Sequence, residues 1–178
     1  LSIVATTDSI VSQLAQNAGS NSNDRITTSS YDHVNRLLTQ SRLNLVTSSI
    51  NGSGGLVTAT GAATTRYAYD GLGNVTEKIE ANGDVSDWIF DAVGRQTRAQ
   101  GASFIDFEGA LVRPTTDTVY DGLGNVQQSI VRGKNSADDR VTNFAYDVAG
   151  HLGRKSTQGV DGSYEYFYDA VGNVTEAR

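Results

Sequence analysis

The sequence contains no cysteine, which excludes disulfides and cysteine-based zinc sites. That absence fits a bacterial secreted or surface protein better than an animal extracellular module, where disulfides are common. Proline occurs once, at Pro114, and no apolar run reaches the roughly 18–20 residues of a helical membrane span. Basic residues number 14 against 20 acidic, a net charge of −6 without any basic patch. A nucleic-acid backbone is therefore not an expected partner. The acidic residues are spread along the chain and form no tail. The opening, LSIVATTDSIVSQ, lacks the charged-then-apolar pattern of a secretory signal. The chain ends on a repeat at Ala177-Arg178. Together these read as a fragment of a longer polypeptide, with any address signal outside it.

What the chain does have favours strands. Thr, Val and Tyr suit a pleated, half-buried surface, and Gly and Asn suit the turns between strands. Eight of the fourteen aromatics are Tyr. The 178 residues correspond to about one domain, long enough to bury a sizeable core. The fold class expected is all-β.

One hexapeptide, YDGLGN, occurs twice without change, at 69–74 and at 120–125. Alignment on its aromatic-Asp pair gives six copies, starting at Tyr31, Tyr69, Phe90, Tyr120, Tyr146 and Tyr168. Each has an Asp next (Asp32, Asp70, Asp91, Asp121, Asp147, Asp169). Five have Gly three residues after that Asp (Gly73, Gly94, Gly124, Gly150, Gly172); the first has Asn35. Self-similarity at such spacings signals a repeat architecture. The Asp side chain can cap a turn by accepting amides further along. The Gly supplies the positive φ that closes a short hairpin loop, and Asn is the next-best residue for it. The aromatic then ends the incoming strand. Leu37, Val75, Val126, Leu152 and Val174 begin the returning ones, with Gln96 as the exception.

Two residues before the pairs stand Tyr67, Trp88, Thr118, Phe144 and Tyr166. A period of two places them on the same sheet face as the repeat aromatics. Ala68, Ile89, Val119, Ala145 and Phe167 fall on the other face, which is expected to be partly covered. Asn82-Gly83 and Asp161-Gly162 read as two-residue hairpin turns at the opposite end. Residues 50–55, 104–114 and 132–140 read as longer outer loops. Residues 1–30 read as a degenerate copy of the same unit, with the segment SIVSQLAQNAG as strand. The whole chain, 1–178, reads as a single array.

Repeated YDxxG[NR] units 20–30 residues apart resemble the YD repeats of RHS (rearrangement hotspot) proteins. The same repeats occur in the B and C components of bacterial insecticidal toxin complexes and in animal teneurins. The likeness covers about residues 24–178. It implies long β-hairpins wound in a spiral, so that the chain would be a curved sheet, a wall segment of a hollow shell. In the toxins such a shell encloses a C-terminal toxic polypeptide. The family's cap with its self-cleaving aspartate has no counterpart in this sequence. The resemblance implies a secreted or cell-surface bacterial protein. Its partners would be the rest of its own polypeptide or neighbouring copies, through strand edges, and an enclosed toxin.

The same residues admit other chemistries. The six repeat Asp residues could pool as calcium ligands, but a calcium ion needs six to eight oxygens, and turn capping is the preferred role. Glu77, Glu80, Asp84 and Asp87, and also Asp161 and Glu165, cluster around hairpins and read as solvated faces rather than a catalytic pair. His33 and His151 read as surface turn residues, and no GxSxG elbow supports a nucleophile. No phosphate loop or other cofactor motif is present, so neither an enzyme nor a cofactor is expected. Tyr67, Trp88, Tyr164 and Tyr166 could stack on sugar rings, which makes a carbohydrate- or cell-surface-binding module the alternative function. Aromatics at period two more often pack across strands.

Overall fold

A computed structural model describes residues 25–160 and 162–178. The segment SIVSQLAQNAG and the turn residue Asp161 lie outside the described residues. Those described form fourteen strands and no helix. The chain divides into two compact units, the first ending at Val85 and the second spanning Ser86–Arg178.

In the first unit, β1 (Thr27–Tyr31), β2 (Leu37–Ile50), β3 (Leu56–Tyr69) and β4 (Val75–Ile79) lie side by side in chain order, each antiparallel to the next. The second unit repeats that plan. Its strands are β5 (Val85–Phe90, all but its first residue), β6 (Gln96–Gln100), β9 (Thr115–Tyr120), β10 (Val126–Val131), β11 (Arg140–Tyr146), β12 (Leu152–Thr157), β13 (Ser163–Tyr168) and β14 (Val174–Ala177). They too pair antiparallel in that order. Between β6 and β9 the chain makes a separate small hairpin, β7 (Phe104–Ile105) with β8 (Leu111–Val112).

Every repeat aromatic ends its strand, and every returning strand starts on the residue expected, Gln96 included. The local cause is a three-residue loop. The amide three residues after the Asp donates to the Asp carbonyl, as in Gly73 to Asp70 at 3.2 Å, and the Asp amide donates to the carbonyl four residues on, as in Asp70 to Asn74 at 3.0 Å. This is a type I turn followed by a left-handed residue, which forces a bulge. The bulge appears as a register shift next to the aromatic, between Ala68 and Tyr69 for example. Gly73 sits at φ 90° and Asn35, its stand-in, at φ 64°.

Four expectations need correction. Residues 50–55 are not a long outer loop: Asn51–Gly55 makes the same tight turn, and the extra length lies in the 14-residue strands β2 and β3. Residues 104–114 hold the β7–β8 hairpin, whose Asp106–Ala110 turn again has this geometry. Asn82-Gly83 is not a two-residue turn. Glu80 and Asp84 close the loop around it, and Gly83 is the left-handed residue. Finally, no apolar side chain is buried among the described residues, and Asp117 is the one buried residue, 8% exposed. In each unit the strands lie side by side, so a side chain meets only neighbours on its own face. The repeat aromatics from Tyr69 onward are half-buried. Ile89, Val119 and Phe167 on the other face stay 51%, 40% and 39% exposed, so that face is not covered as expected.

Candidate functional site

The repeat turn is a small machine of hydrogen bonds. In all six copies Oδ1 of the Asp accepts the backbone amides two and four residues on. For Asp121 these come from Leu123 and Asn125 at 2.9 and 2.8 Å. The same pattern holds at Asp32, Asp70, Asp91, Asp147 and Asp169. Oδ2 takes a third bond from the side chain four residues on. That donor is Arg36 Nε, Asn74 Nδ2, Arg95 Nε, Asn125 Nδ2 and Asn173 Nδ2 in five copies, and His151 Nδ1 shares the same contact with Asp147 at 3.0 Å.

These bonds favour the ionised carboxylate. All six Asp carboxyls are held below the usual value, Asp32 at about 2. Where Asn follows, its side-chain amide is the leading cause, as at Asp70, Asp121 and Asp169. Where Arg or His follows, the backbone amide of that residue leads, as at Asp32, Asp91 and Asp147. Both oxygens of each carboxylate are thus engaged inside their own turn. Among the described residues no group of three or more His, Asp or Glu is placed to hold a metal.

The second device joins one hairpin to the next. The hydroxyl of a repeat Tyr donates to the carbonyl of the first residue of the returning strand in an earlier hairpin. Tyr69 reaches Leu37 at 2.8 Å, Tyr120 reaches Gln96 at 2.9 Å, Tyr146 reaches Val126 at 3.0 Å and Tyr168 reaches Leu152 at 2.9 Å. Phe90 has the ring but no hydroxyl. The residue that serves the Asp also covers the next ring when it is Arg or His. Arg36 lies 4.8 Å over Tyr69, Arg95 lies 4.6 Å over Tyr120, and His151 stacks on Tyr168 at 4.7 Å. Arg36 further donates to the Asp70 carbonyl at 2.9 Å, joining two successive turns directly. His151 is therefore more than a surface turn residue. His33 is exposed, as expected.

At the other end of the strands lies an ion-pair ladder that sequence reading missed. Asp117 on β9 receives Arg98 of β6, Nε to Oδ1 at 2.5 Å and Nη2 to Oδ2 at 2.9 Å. It also receives Arg132, beyond β10, at 2.7 Å from Nε. Arg132 in turn reaches Asp139 at 2.7 Å. The Arg98 side chain lowers the Asp117 carboxyl most, ahead of Arg132 and against the cost of burial. Asp87 pairs with Arg113. The signal was cross-strand register: Arg98 stands directly opposite Asp117, which needs the pairing of β6 with β9, 15 residues further along the chain. Asp87 and Glu80 are thereby accounted for as ion-pair residues, Glu80 with Lys78 and with Thr65 Oγ1 at 3.1 Å.

Of the four aromatics named as sugar-stacking candidates, Tyr67, Trp88 and Tyr166 are half-buried and Tyr164 is 65% exposed. Tyr164 borders a shallow hollow with Lys155, Thr157, Val160, Ser163 and Arg178.

No family model matches the sequence, and no curated protein matches it. Solved structures do. The crystal structure of TcdB2–TccC3–Cdc42 matches over 87% of this chain, with a TM-score of 0.59 at 17% identity. The Photorhabdus luminescens Tc holotoxin pore with a TccC3 mutation matches over 86%, with a TM-score of 0.44 at 14% identity. The chain spans 8% and 9% of the length of those chains. At such identity the first match is a likeness of fold, and the second is too loose to add to it.

Proposed function

We propose that this chain is a structural wall segment of a larger, secreted or surface-exposed YD-repeat polypeptide, whose shell encloses or presents another polypeptide. Hairpins set side by side make the wall. The Asp turn fixes each hairpin's register, and the Tyr hydroxyl ties that hairpin to an earlier one, with an Arg or His covering the ring at Tyr69, Tyr120 and Tyr168. Stability then comes from nearest neighbours, as in other repeat arrays. The observation that carries the reading is the Tyr-to-carbonyl bond, made four times at equivalent positions. The fold likeness to TcdB2–TccC3–Cdc42 supports it, as does the repeat's resemblance to RHS proteins. The role is structural rather than catalytic: the carboxylates best placed for chemistry are engaged inside turns or ion pairs. A carbohydrate-binding module is the weaker reading, because three of its four candidate aromatics are half-buried.

The test is limited proteolysis of the full-length polypeptide that carries this segment, followed by mass spectrometry. A C-terminal segment that survives and stays bound to the repeat region supports enclosure. A segment digested freely overturns it.

A further inference from the structure

The β2–β3 hairpin differs from the others in a way the wall does not use. β1 and β4 cover only its base: β1 reaches Arg42 of β2, and β4 reaches Arg66 of β3. Beyond them, among the described residues, Leu45–Ile50 pairs with Leu56–Gly61 alone. A register shift between Arg42 and Leu45, with Asn44 at φ 56°, marks where this arm leaves the body. Six residues per strand make an arm about 20 Å long. It is open to solvent, with Val46 71%, Ile50 75% and Leu56 73% exposed.

Its composition is the second observation. Residues 43–65 contain no Asp, Glu, Lys, Arg, His or Pro, in a chain that is 19% charged. Charged residues and prolines are the usual guards of a free strand edge. Here a β-prone LVTATG edge carries neither. A two-stranded ribbon is marginal by itself in water, and added strands would complete it.

We propose that the outer edge of β3, Leu56–Gly61, is a homotypic docking edge that pairs antiparallel with the same edge of a second copy of this chain. Both edges are covered at the base, but on the β2 side the chain still bonds ahead of β1, Leu43 amide to Ile26 carbonyl at 2.8 Å, whereas on the β3 side it turns back at Glu80–Asp84 directly after β4, which leaves Leu56–Gly61 as the clearer edge. Identical antiparallel edges are self-complementary about a two-fold axis and require no opposite charges. The electrostatics also suit a second copy. Bodies of charge −6 would be held apart by uncharged arms about 20 Å long, beyond the screening distance of about 8 Å at physiological salt. A bilayer is the poorer occupant. A spanning strand needs about 9–11 residues with one apolar face, whereas each face of this arm mixes Val, Leu or Ile with Thr or Ser. The proposal does not depend on the shell reading.

The chain's lack of cysteine makes the test direct. Thr58, mid-edge and opposite Ser48, is replaced by Cys in the 178-residue chain, with exposed Gln127→Cys of β10 as control. Sedimentation equilibrium across a concentration series is run alongside on the unsubstituted chain and on Thr58→Lys. The expected result is a concentration-dependent dimer, a disulfide-linked dimer with Thr58→Cys but not Gln127→Cys, and dimerisation weakened at least about tenfold by the edge lysine. Circular dichroism confirms that the variants keep their strands. A chain that stays monomeric at every concentration without cross-linking overturns the proposal. So does a dimer indifferent to Thr58→Lys, or a monomer that sediments with phosphatidylcholine vesicles.

Discussion

Replacing Asp117 by Asn should destabilise the second unit more than any single change at a turn Asp. The substitution keeps size but removes the charge that receives Arg98 and Arg132, leaving two guanidinium groups facing a neutral amide. Removing one partner of a fully buried ion pair costs about 3–5 kcal/mol, and an exposed pair contributes about 0–1 kcal/mol. Asp117 lies between these limits. It is 8% exposed, but the Arg98 and Arg132 side chains are 41% and 39% exposed, and solvent screens them. The expected loss is therefore about 1–3 kcal/mol. At a urea dependence of about 2 kcal/mol per molar, the midpoint falls by roughly 0.5–1.5 M. Trp88, on β5 of the same unit, is the chain's single tryptophan and reports the transition by fluorescence. The gap between the two proteins should narrow in 1 M NaCl, where the screening length is about 3 Å. A shift below about 0.2 M would refute the ladder's role in stability, as would a gap that salt leaves unchanged.

Other consequences follow from the turns. Gly124→Ala, at φ 94°, should cost about 1–2 kcal/mol in urea unfolding because the left-handed region penalises a Cβ by that amount. Gly122→Ala in the same turn, with nothing within 4 Å of an added Cβ and no positive φ, should be nearly silent. His151→Asn should keep the Asp147 bond that Asn makes at equivalent positions, yet lose the stack on Tyr168, lowering thermal stability by about 1 kcal/mol or less. Acid should unfold the chain from the carboxylate side. The turn Asp residues and Asp117 have folded-state values below the unfolded one of about 3.9. Their contribution is complete above about pH 4–5 and is lost as pH falls through the lowered folded values, which for Asp32 is about 2. Circular dichroism against pH checks this; loss of structure above pH 5 would contradict it.

Much of the fold was legible because its signal is local. Aromatic, Asp and Gly lie within five residues, and each acts through its own turn, so strand ends could be read to the residue. The β7–β8 hairpin escaped for want of an aromatic. Ile105 precedes Asp106, although Asp106 and Gly109 keep the spacing and Asp106 Oδ1 accepts the amides of Glu108 and Ala110. The arm escaped because turn signals give a loop's position, not how far the strands run past their neighbours. The Asp117 ladder and the stacking of Arg36, Arg95 and His151 on later rings were illegible for another reason. The bonds to Asp117 and the ring stacks join residues 15 to 33 positions apart through a register that only the paired strands establish. The substitution of Arg or His for Asn after the Gly was visible, and its purpose was not.

If an Arg-bearing turn holds a neighbouring hairpin, a double-mutant cycle on Arg95 and Tyr120 must show it. Urea unfolding of Arg95→Ala, Tyr120→Leu and the double variant isolates the energy the two side chains share. A guanidinium over a ring that solvent still reaches contributes about 0.5–1 kcal/mol, and Tyr120 is half-buried, so a coupling of about that size is predicted. Losses that simply add, with coupling near zero, would mean that the hairpins stand beside one another without being held by these side chains.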